Sequence, residues 1–176
     1  MAGYLTSKGG KESDALARAF GALVEGLTFY DLANVAVAEM RVKVAFEELG
    51  RHKKDQLARL EGVAGSGARD AAVMPGIYPM NVVARVECYV CGFVAETKAM
   101  PNTCPNCGAA RYAFEKEISL SKAWEIAAEA GRKSATLFGE SAAHTAGRAK
   151  AVLEELARDE EGQAVQADRQ LGELRT

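Results

Sequence analysis

Apolar residues recur at spacings of three and four positions in two long stretches of the chain, a pattern typical of amphipathic α-helices. The first stretch, 11–61, predicts one helix pair, and the second, 119–174, predicts another. Glycine and proline interrupt the pattern between them, so we predict a linker over 62–83. Ser13 is a candidate N-cap for the first helix, and Ser119, or the serine two residues later, for the third.

The two predicted helix pairs resemble each other in sequence. Residues 46–51 recur as 153–158 at an offset of 107, and residues 27–30 recur as 135–138 at an offset of 108. Two matches at nearly equal offsets indicate a duplication. Two similar antiparallel helix pairs bury their apolar stripes against each other, and the sequence therefore predicts a four-helix bundle.

The predicted buried stripe of each helix can be read from the same spacing. In chain order, the four stripes are Leu16, Phe20, Leu23, Leu27 and Tyr30; Val42, Phe46, Leu49, Lys53, Gln56 and Leu60; Trp124, Ala128, Gly131, Ala135 and Phe138; and Ala149, Leu153, Leu156, Glu160, Gln163 and Ala167. Polar residues interrupt the second and fourth stripes at matching places. Either these faces turn outward near the helix ends, or the bundle has a polar centre in which each charge needs a partner.

Four cysteines, the only ones in the chain, lie between the helix pairs as two C-x-x-C-G motifs: Cys88 and Cys91, then Cys104 and Cys107. Each motif predicts a tight turn that presents two sulfurs from one side, and four thiolates suit a tetrahedral metal. The following glycine tolerates the left-handed backbone of such a turn. Two disulfides are the weaker alternative, because we find no secretory segment. The metal could be Zn²⁺ as a folding staple or iron as a one-electron centre.

The overall composition is ordinary for a water-soluble globular chain. It has 176 residues, of which 48% are hydrophobic and 26% charged, with a net charge of −2. The pI near 5.8 and the lack of a basic stripe argue against nucleic acid as a partner. No apolar run approaches the length of a membrane span. Cysteines that are all used by one metal site fit a reducing compartment, so we expect a cytoplasmic protein.

The cysteine-containing stretch, 84–117, resembles the rubredoxin-like module of rubrerythrins. The resemblance is carried by Cys-Tyr-Val-Cys-Gly-Phe-Val, then Cys-Pro-Asn-Cys-Gly-Ala, then Phe-Glu. It implies one iron ion held by the four cysteines, with Phe93, Tyr112 and Phe114 packed around it. Zinc ribbons carry similar motifs, so zinc stays an alternative to iron.

Rubrerythrins join this module to a ferritin-like four-helix bundle, in which each helix pair supplies a Glu and a Glu-x-x-His to a di-iron centre. Carried onto this chain, the six ligand positions fall at Leu23, Lys53, Gln56, Gly131, Glu160 and Gln163. Only Glu160 keeps its ligand chemistry, so we expect these to be vestigial positions without a di-iron centre. In its place we predict an ion pair between Lys53 and Glu160, with the two glutamines hydrogen-bonded around it. His52 and His144 are expected at the surface.

The resemblance implies a mainly α protein in which a small β metal module is inserted between the two helix pairs. The module follows or precedes the bundle in typical rubrerythrins, so this order differs. The function it favours is a one-electron carrier, without a catalytic residue of its own, that serves a redox protein or a larger oxidoreductase complex and forms a homodimer. One alternative is a non-catalytic docking subunit whose metal is a staple. Another is a peroxidase with relocated ligands, drawn from Glu25, Asp31, Glu39, Glu125, Glu129 and Asp159.

Overall fold

A computed structural model describes residues 6–65, 67–79, 84–97, 101–110 and 114–174. The chain is mainly helical, with a small antiparallel sheet between the two helix pairs, as the sequence predicts. The elements in chain order are α1 (Thr6–Ala36), α2 (Met40–Ala64), α3 (Gly67–Asp70), β1 (Ala84–Cys88), β2 (Val94–Thr97), β3 (Phe114–Glu117), α4 (Leu120–Ala143) and α5 (Gly147–Leu174).

The four long helices form one bundle around a shared core. Short connections make α1 antiparallel to α2 and α4 antiparallel to α5, and the two pairs contact each other through α1 with α4 and α2 with α5. All six positions of the predicted α2 stripe are buried, including Lys53 and Gln56. The possibility that the polar positions turn outward is therefore wrong for α2, and also for Glu160 in α5.

The start of α1 differs from the prediction, whereas the start of the third long helix agrees with it. Helix α1 begins at Thr6, so Ser13 lies inside it and is not an N-cap. The glycines that precede Ser13 each cost only about 1 kcal/mol, which a helix with a buried face can tolerate. At the third long helix, Ser119 is the N-cap, and its hydroxyl accepts a hydrogen bond from the Lys122 backbone N–H at 3.2 Å.

The segment between α2 and the sheet is more ordered than a flexible linker. It contains the one-turn helix α3, and its later part lies against α1; residues 80–83 fall outside the described part of the chain. The buried carboxylate of Glu25 in α1 accepts hydrogen bonds from the backbone N–H groups of Gly76 and Tyr78, at 2.8 and 2.7 Å. These two bonds fix the segment to the bundle.

Tyr78 enters the bundle from this anchored segment. Its ring packs on Gly26, where an added Cβ would lie only 2.8 Å from the ring, so a residue without a side chain is needed there. The ring centroid lies 5.4 Å from that of Phe29 and 5.5 Å from that of Tyr30. Such aromatic pairs add to the stability gained from burial.

The sheet places the cysteine motifs. Its strand order is β2-β1-β3, and both strand pairs are antiparallel, with Glu87 opposite Val94 and Cys88 opposite Phe114. The first motif forms the turn from β1 to β2, and the second lies in the connection from β2 to β3. Val86 on β1 is buried among the cysteines, so the module has a small core of its own.

Candidate metal centre

The two cysteine motifs have the same backbone structure. In the first, the Gly92 N–H donates to the Cys88 carbonyl at 2.8 Å, and the Cys88 N–H donates to the Phe93 carbonyl. In the second, Gly108 and Cys104 make the equivalent bonds at 2.9 and 2.8 Å. Both glycines have positive φ, 72° and 75°, as the sequence predicts for this turn. The turns are thus two copies of one sulfur-presenting unit.

The four sulfurs converge at one point between the turns. The ligand atoms of Cys88, Cys91, Cys104 and Cys107 all lie within 4.8 Å of one another, and all four cysteines are free thiols. The Sγ–Sγ distance is 3.8 Å from Cys88 to Cys107 and 3.7 Å from Cys91 to Cys104. A tetrahedral metal with bonds of about 2.3 Å to each thiolate needs sulfurs about 3.8 Å apart. The cluster therefore fits one tetrahedral metal ion.

The first cysteine of each turn is buried, and the second is exposed. The Asn106 amide donates to the Cys91 sulfur, and the Phe93 backbone N–H does so as well, which lowers the pKa of this thiol to about 6. The Ala109 backbone N–H favours the Cys107 thiolate, but desolvation and the three neighbouring sulfurs outweigh it and raise the pKa of that thiol to about 12. Four sulfurs this close cannot all be thiolates unless a cation offsets their charge.

The aromatic surroundings of the sulfurs are described in part. Phe93 packs against the buried cluster of Val86, Cys88 and Cys104, as expected. Tyr112 and the Phe114 side chain lie outside the described residues. Tyr89 and Val90, which directly precede Cys91 in the first turn, are 62% and 70% exposed.

The centre of the helix bundle is polar, and a buried ion pair lies there. The Lys53 Nζ lies 2.5 Å from Glu160 Oε1, and the two side chains are 1% and 0% exposed. This confirms the predicted pairing of residues 107 positions apart. The ammonium group also lies 5.9 Å from the centre of the Tyr78 ring, which is within the range of a cation–π contact. A cation thus occupies the middle of the bundle.

The glutamines do not surround the ion pair symmetrically. Gln56 is fully buried, yet neither atom of its amide has a hydrogen-bond partner among the described residues, whereas Gln163 is only half-buried and makes no hydrogen bond to the ion pair. The predicted hydrogen bonds from both glutamines to the ion pair are therefore wrong. The internal repeat relates Gln163 to Gln56, but Gln163 is less buried because α5 buries the next residue, Ala164, instead.

The two remaining vestigial positions are closely packed and apolar. Leu23 is fully buried in the hydrophobic core. At Gly131, a Cβ would lie 3.0 Å from the Glu160 carbonyl and 3.2 Å from the Ala164 Cβ, so α4 touches the α5 backbone there. A ligand-sized side chain could not be accommodated at Gly131 without moving α5.

The histidines and the candidate carboxylates are mostly away from the centre. His144 is exposed at the C-terminal cap of α4, as expected, but His52 is half-buried, and its Nδ1 is buried without a hydrogen-bond partner in the part of the chain that the structure describes. That expectation was wrong because α2 contacts three other long helices and buries a wide face. Among the relocated-ligand candidates, only Glu25 is buried, and it is used by the backbone of 76–78.

Two buried tyrosines complete the polar centre, and their role was not evident from the sequence. Burial, and then the neighbouring Tyr78, raises the pKa of Tyr30 well above its usual value. Burial, and then the charge of Glu160, does the same to the pKa of Tyr78. The Tyr30 and Ser134 hydroxyls lie near the Tyr78 hydroxyl and lower its pKa, although no hydrogen bond of normal geometry links it to another described residue. The only sequence signal was an aromatic residue in a segment otherwise rich in glycine and proline.

Comparison with known proteins identifies the metal module alone. Residues 87–115, which include all four cysteines, match the family model described as "Rubrerythrin, rubredoxin-like domain". No curated protein matches the chain, and no solved structure does. The helical bundle around the matched segment is consistent with the ferritin-like architecture that this likeness implies. Among the described helices, none is long and apolar enough to cross a membrane.

Proposed function

We propose that this protein is a one-electron carrier that holds a single iron ion between Cys88, Cys91, Cys104 and Cys107. The observation that carries the proposal is the tetrahedral spacing of four sulfurs within a segment that matches a rubredoxin-like domain. Iron bound by four thiolates supplies a one-electron ferric/ferrous couple. Zn²⁺ fits the same sulfurs but has no redox chemistry, so the metal decides between carrier and staple.

The residues of the module suit electron exchange with another protein. Cys91 and Cys107 are exposed, so two of the four sulfur ligands lie at the surface where a partner can approach. The Asn106 amide and the Phe93 N–H donate to the Cys91 sulfur and stabilise its negative charge. The exposed apolar surface of Tyr89 and Val90, which directly precede Cys91, would be covered by a docked redox protein.

The same proposal holds that the bundle has no di-iron centre. A di-iron centre needs several anionic ligands, whereas the Lys53 ammonium sits at the middle of the bundle and is already paired with Glu160. The close approach of Gly131 to α5 leaves no space for a ligand side chain at that position. The bundle would then be a scaffold, and the metal module would act with an external donor and acceptor in a reducing compartment such as the cytoplasm.

A docking subunit is the second candidate, and one observation favours it. Leu32, Val35, Met40 and Val44 are 59%, 84%, 69% and 54% exposed near the α1–α2 connection. Exposed apolar residues grouped at one end of a bundle are typical of a contact surface for another chain, including a second copy. In this candidate function the metal contributes only to folding.

Metal analysis and voltammetry of the intact chain distinguish the two candidates. Protein produced with ample iron and handled anaerobically is expected to contain one iron per chain, visible thiolate-to-iron absorption and a reversible one-electron wave. Zinc-substituted protein is the matched control, because it keeps the fold and has no wave. Strict zinc occupancy despite ample iron, or iron-loaded protein without a wave, would contradict the carrier function and leave the docking subunit.

A further inference from the structure

The polar centre of the bundle contains more hydrogen-bonding groups than the protein itself satisfies. Five buried side-chain atoms there have no hydrogen bond of normal geometry to another described residue: both amide atoms of Gln56, Glu160 Oε2, and the Tyr78 and Ser134 hydroxyls, which lie near each other. Gln56, Glu160 and Ser134 are 0% exposed, and Tyr78 is 3% exposed. They come from α2, α5, residues 76–78 and α4. Gln56 follows Lys53 by one turn on the buried face of α2, Lys53 contacts Glu160 and lies 5.9 Å from the centre of the Tyr78 ring, and the Ser134 hydroxyl lies near that of Tyr78.

Such a group of atoms is costly to bury without an occupant. A buried donor or acceptor that loses its hydrogen bonds to water and gains none keeps the full desolvation cost. In native proteins nearly all buried polar groups are satisfied, and those without a protein partner usually bind an ordered water. The Gln56 amide and Glu160 Oε2, which have no hydrogen bond to another described residue, would keep most of this cost. A small molecule bound at the centre would satisfy these atoms.

The charges of the site define the chemistry of that molecule. Lys53 and Glu160 neutralise each other. An anion would be repelled by the second Glu160 oxygen, and a cation would be repelled by the ammonium group. The remaining groups include both donors and acceptors, since the Gln56 amide and the two hydroxyls supply each kind. The occupant must therefore be small, neutral and able to donate and accept at once.

We propose that the bundle contains an internal hydration site, in which at least one ordered water bridges Gln56 and Glu160 Oε2 and reaches the Tyr78 or Ser134 hydroxyl. This site is formed by the chain itself at the position that the vestigial ligands surround. It does not involve the cysteines, so it is independent of which metal they hold.

A cavity adjoins Tyr78, one of the residues of this site. A cavity of about 150 Å³ opens between the anchored segment and α4, and its lining includes Tyr78, Pro79, Ile126 and Ala130, with Glu129 and Lys133 also present. Tyr78 is shared between this cavity and the polar centre. The water is therefore expected to exchange with solvent through movement of the Tyr78 ring, and not through unfolding of the bundle.

A high-resolution crystal structure of the metal-loaded protein tests the site directly. We expect at least one ordered density peak without anomalous signal, within hydrogen-bond distance of Gln56 and Glu160 Oε2. A dry centre, in which Gln56 bonds directly to Glu160 or Tyr78, would overturn the proposal. An anomalous iron or zinc peak between Lys53 and Glu160 would overturn it too, because the occupant would then be a metal.

A measurement in solution uses a matched pair of glutamines. In zinc-loaded protein, which is diamagnetic, the Gln56 side-chain amide should show a water cross-peak with the sign of a long-lived complex, whereas the half-buried Gln163 amide should not. Gln56→Leu should abolish the crystallographic peak, and Gln163→Leu should leave it in place. Equal, short-lived hydration of both amides, or an unchanged peak in Gln56→Leu, would contradict the assignment.

Discussion

Replacement of Lys53 by methionine tests how much the free energy of unfolding depends on the buried ion pair at the centre of the bundle. Methionine has a similar length but no charge, so the core keeps most of its volume. Glu160, which is 0% exposed, would lose the Nζ at 2.5 Å, while its other oxygen already has no partner among the described residues. A buried carboxylate would then be left without a counter-charge.

The expected cost follows from measured cases of broken buried pairs. Removal of one partner typically destabilises a protein by about 3–5 kcal/mol. For a chain of this length, 1 kcal/mol shifts Tm by about 2–4 °C, so Tm should fall by roughly 6–20 °C. The double variant Lys53→Met/Glu160→Leu removes both charges and should recover most of this loss, or exceed the parent by up to about 4 kcal/mol.

The chain offers a matched control between the same two helices. Arg59 in α2 pairs with Asp159 in α5, but these side chains are 39% and 36% exposed. Arg59→Met should therefore cost less than about 1 kcal/mol. The free energy of unfolding is measured by urea denaturation of the metal-loaded variants, with far-UV circular dichroism as the signal for the folded state. Equal small losses for Lys53→Met and Arg59→Met would refute the reasoning.

Two further predictions concern the tyrosines and their packing. Gly26→Ala should destabilise the protein by about 1–3 kcal/mol in urea denaturation, because the new methyl group meets the Tyr78 ring, whereas Gly139→Ala, in the same measurement, has open space and should stabilise it by up to about 1 kcal/mol. Equal effects of the two changes would contradict the packing of Tyr78. The raised pKa values of Tyr30 and Tyr78 mean that the native state keeps both phenols neutral after the unfolded chain ionises near pH 10. Stability should therefore fall above that pH, by up to about 1.4 kcal/mol per pH unit for each tyrosine, and Tyr30→Phe with Tyr78→Phe should remove that slope.

The features that the sequence predicts are those set by local spacing. The apolar repeat predicts the bundle, and the cysteine motifs predict the sulfur cluster, because both depend on residues near each other in the chain. The Lys53–Glu160 pair could be predicted as well, since the internal repeat relates positions 107 apart and a pseudo-twofold bundle brings such positions together.

The insertion of Tyr78 could not be predicted in this way. It depends on hydrogen bonds from the backbone of 76–78 to Glu25, which lies more than 50 positions away, and on the missing side chain at Gly26. Neither contact leaves a periodic signal.

The pairing of β1 with β3 has a consequence for how the bundle assembles. Arg85 lies opposite Glu117, so the sheet holds together the two ends of the inserted module. Tyr78 and Ile118 on either side of it are both buried in the bundle core. The entropy lost when a loop closes grows with the logarithm of its length, by about 0.6 kcal/mol for each doubling. If the metal module folds first, it shortens the effective tether between the two helix pairs. Metal binding by the cysteines would thereby favour assembly of the bundle, although the cysteines are not part of the bundle core.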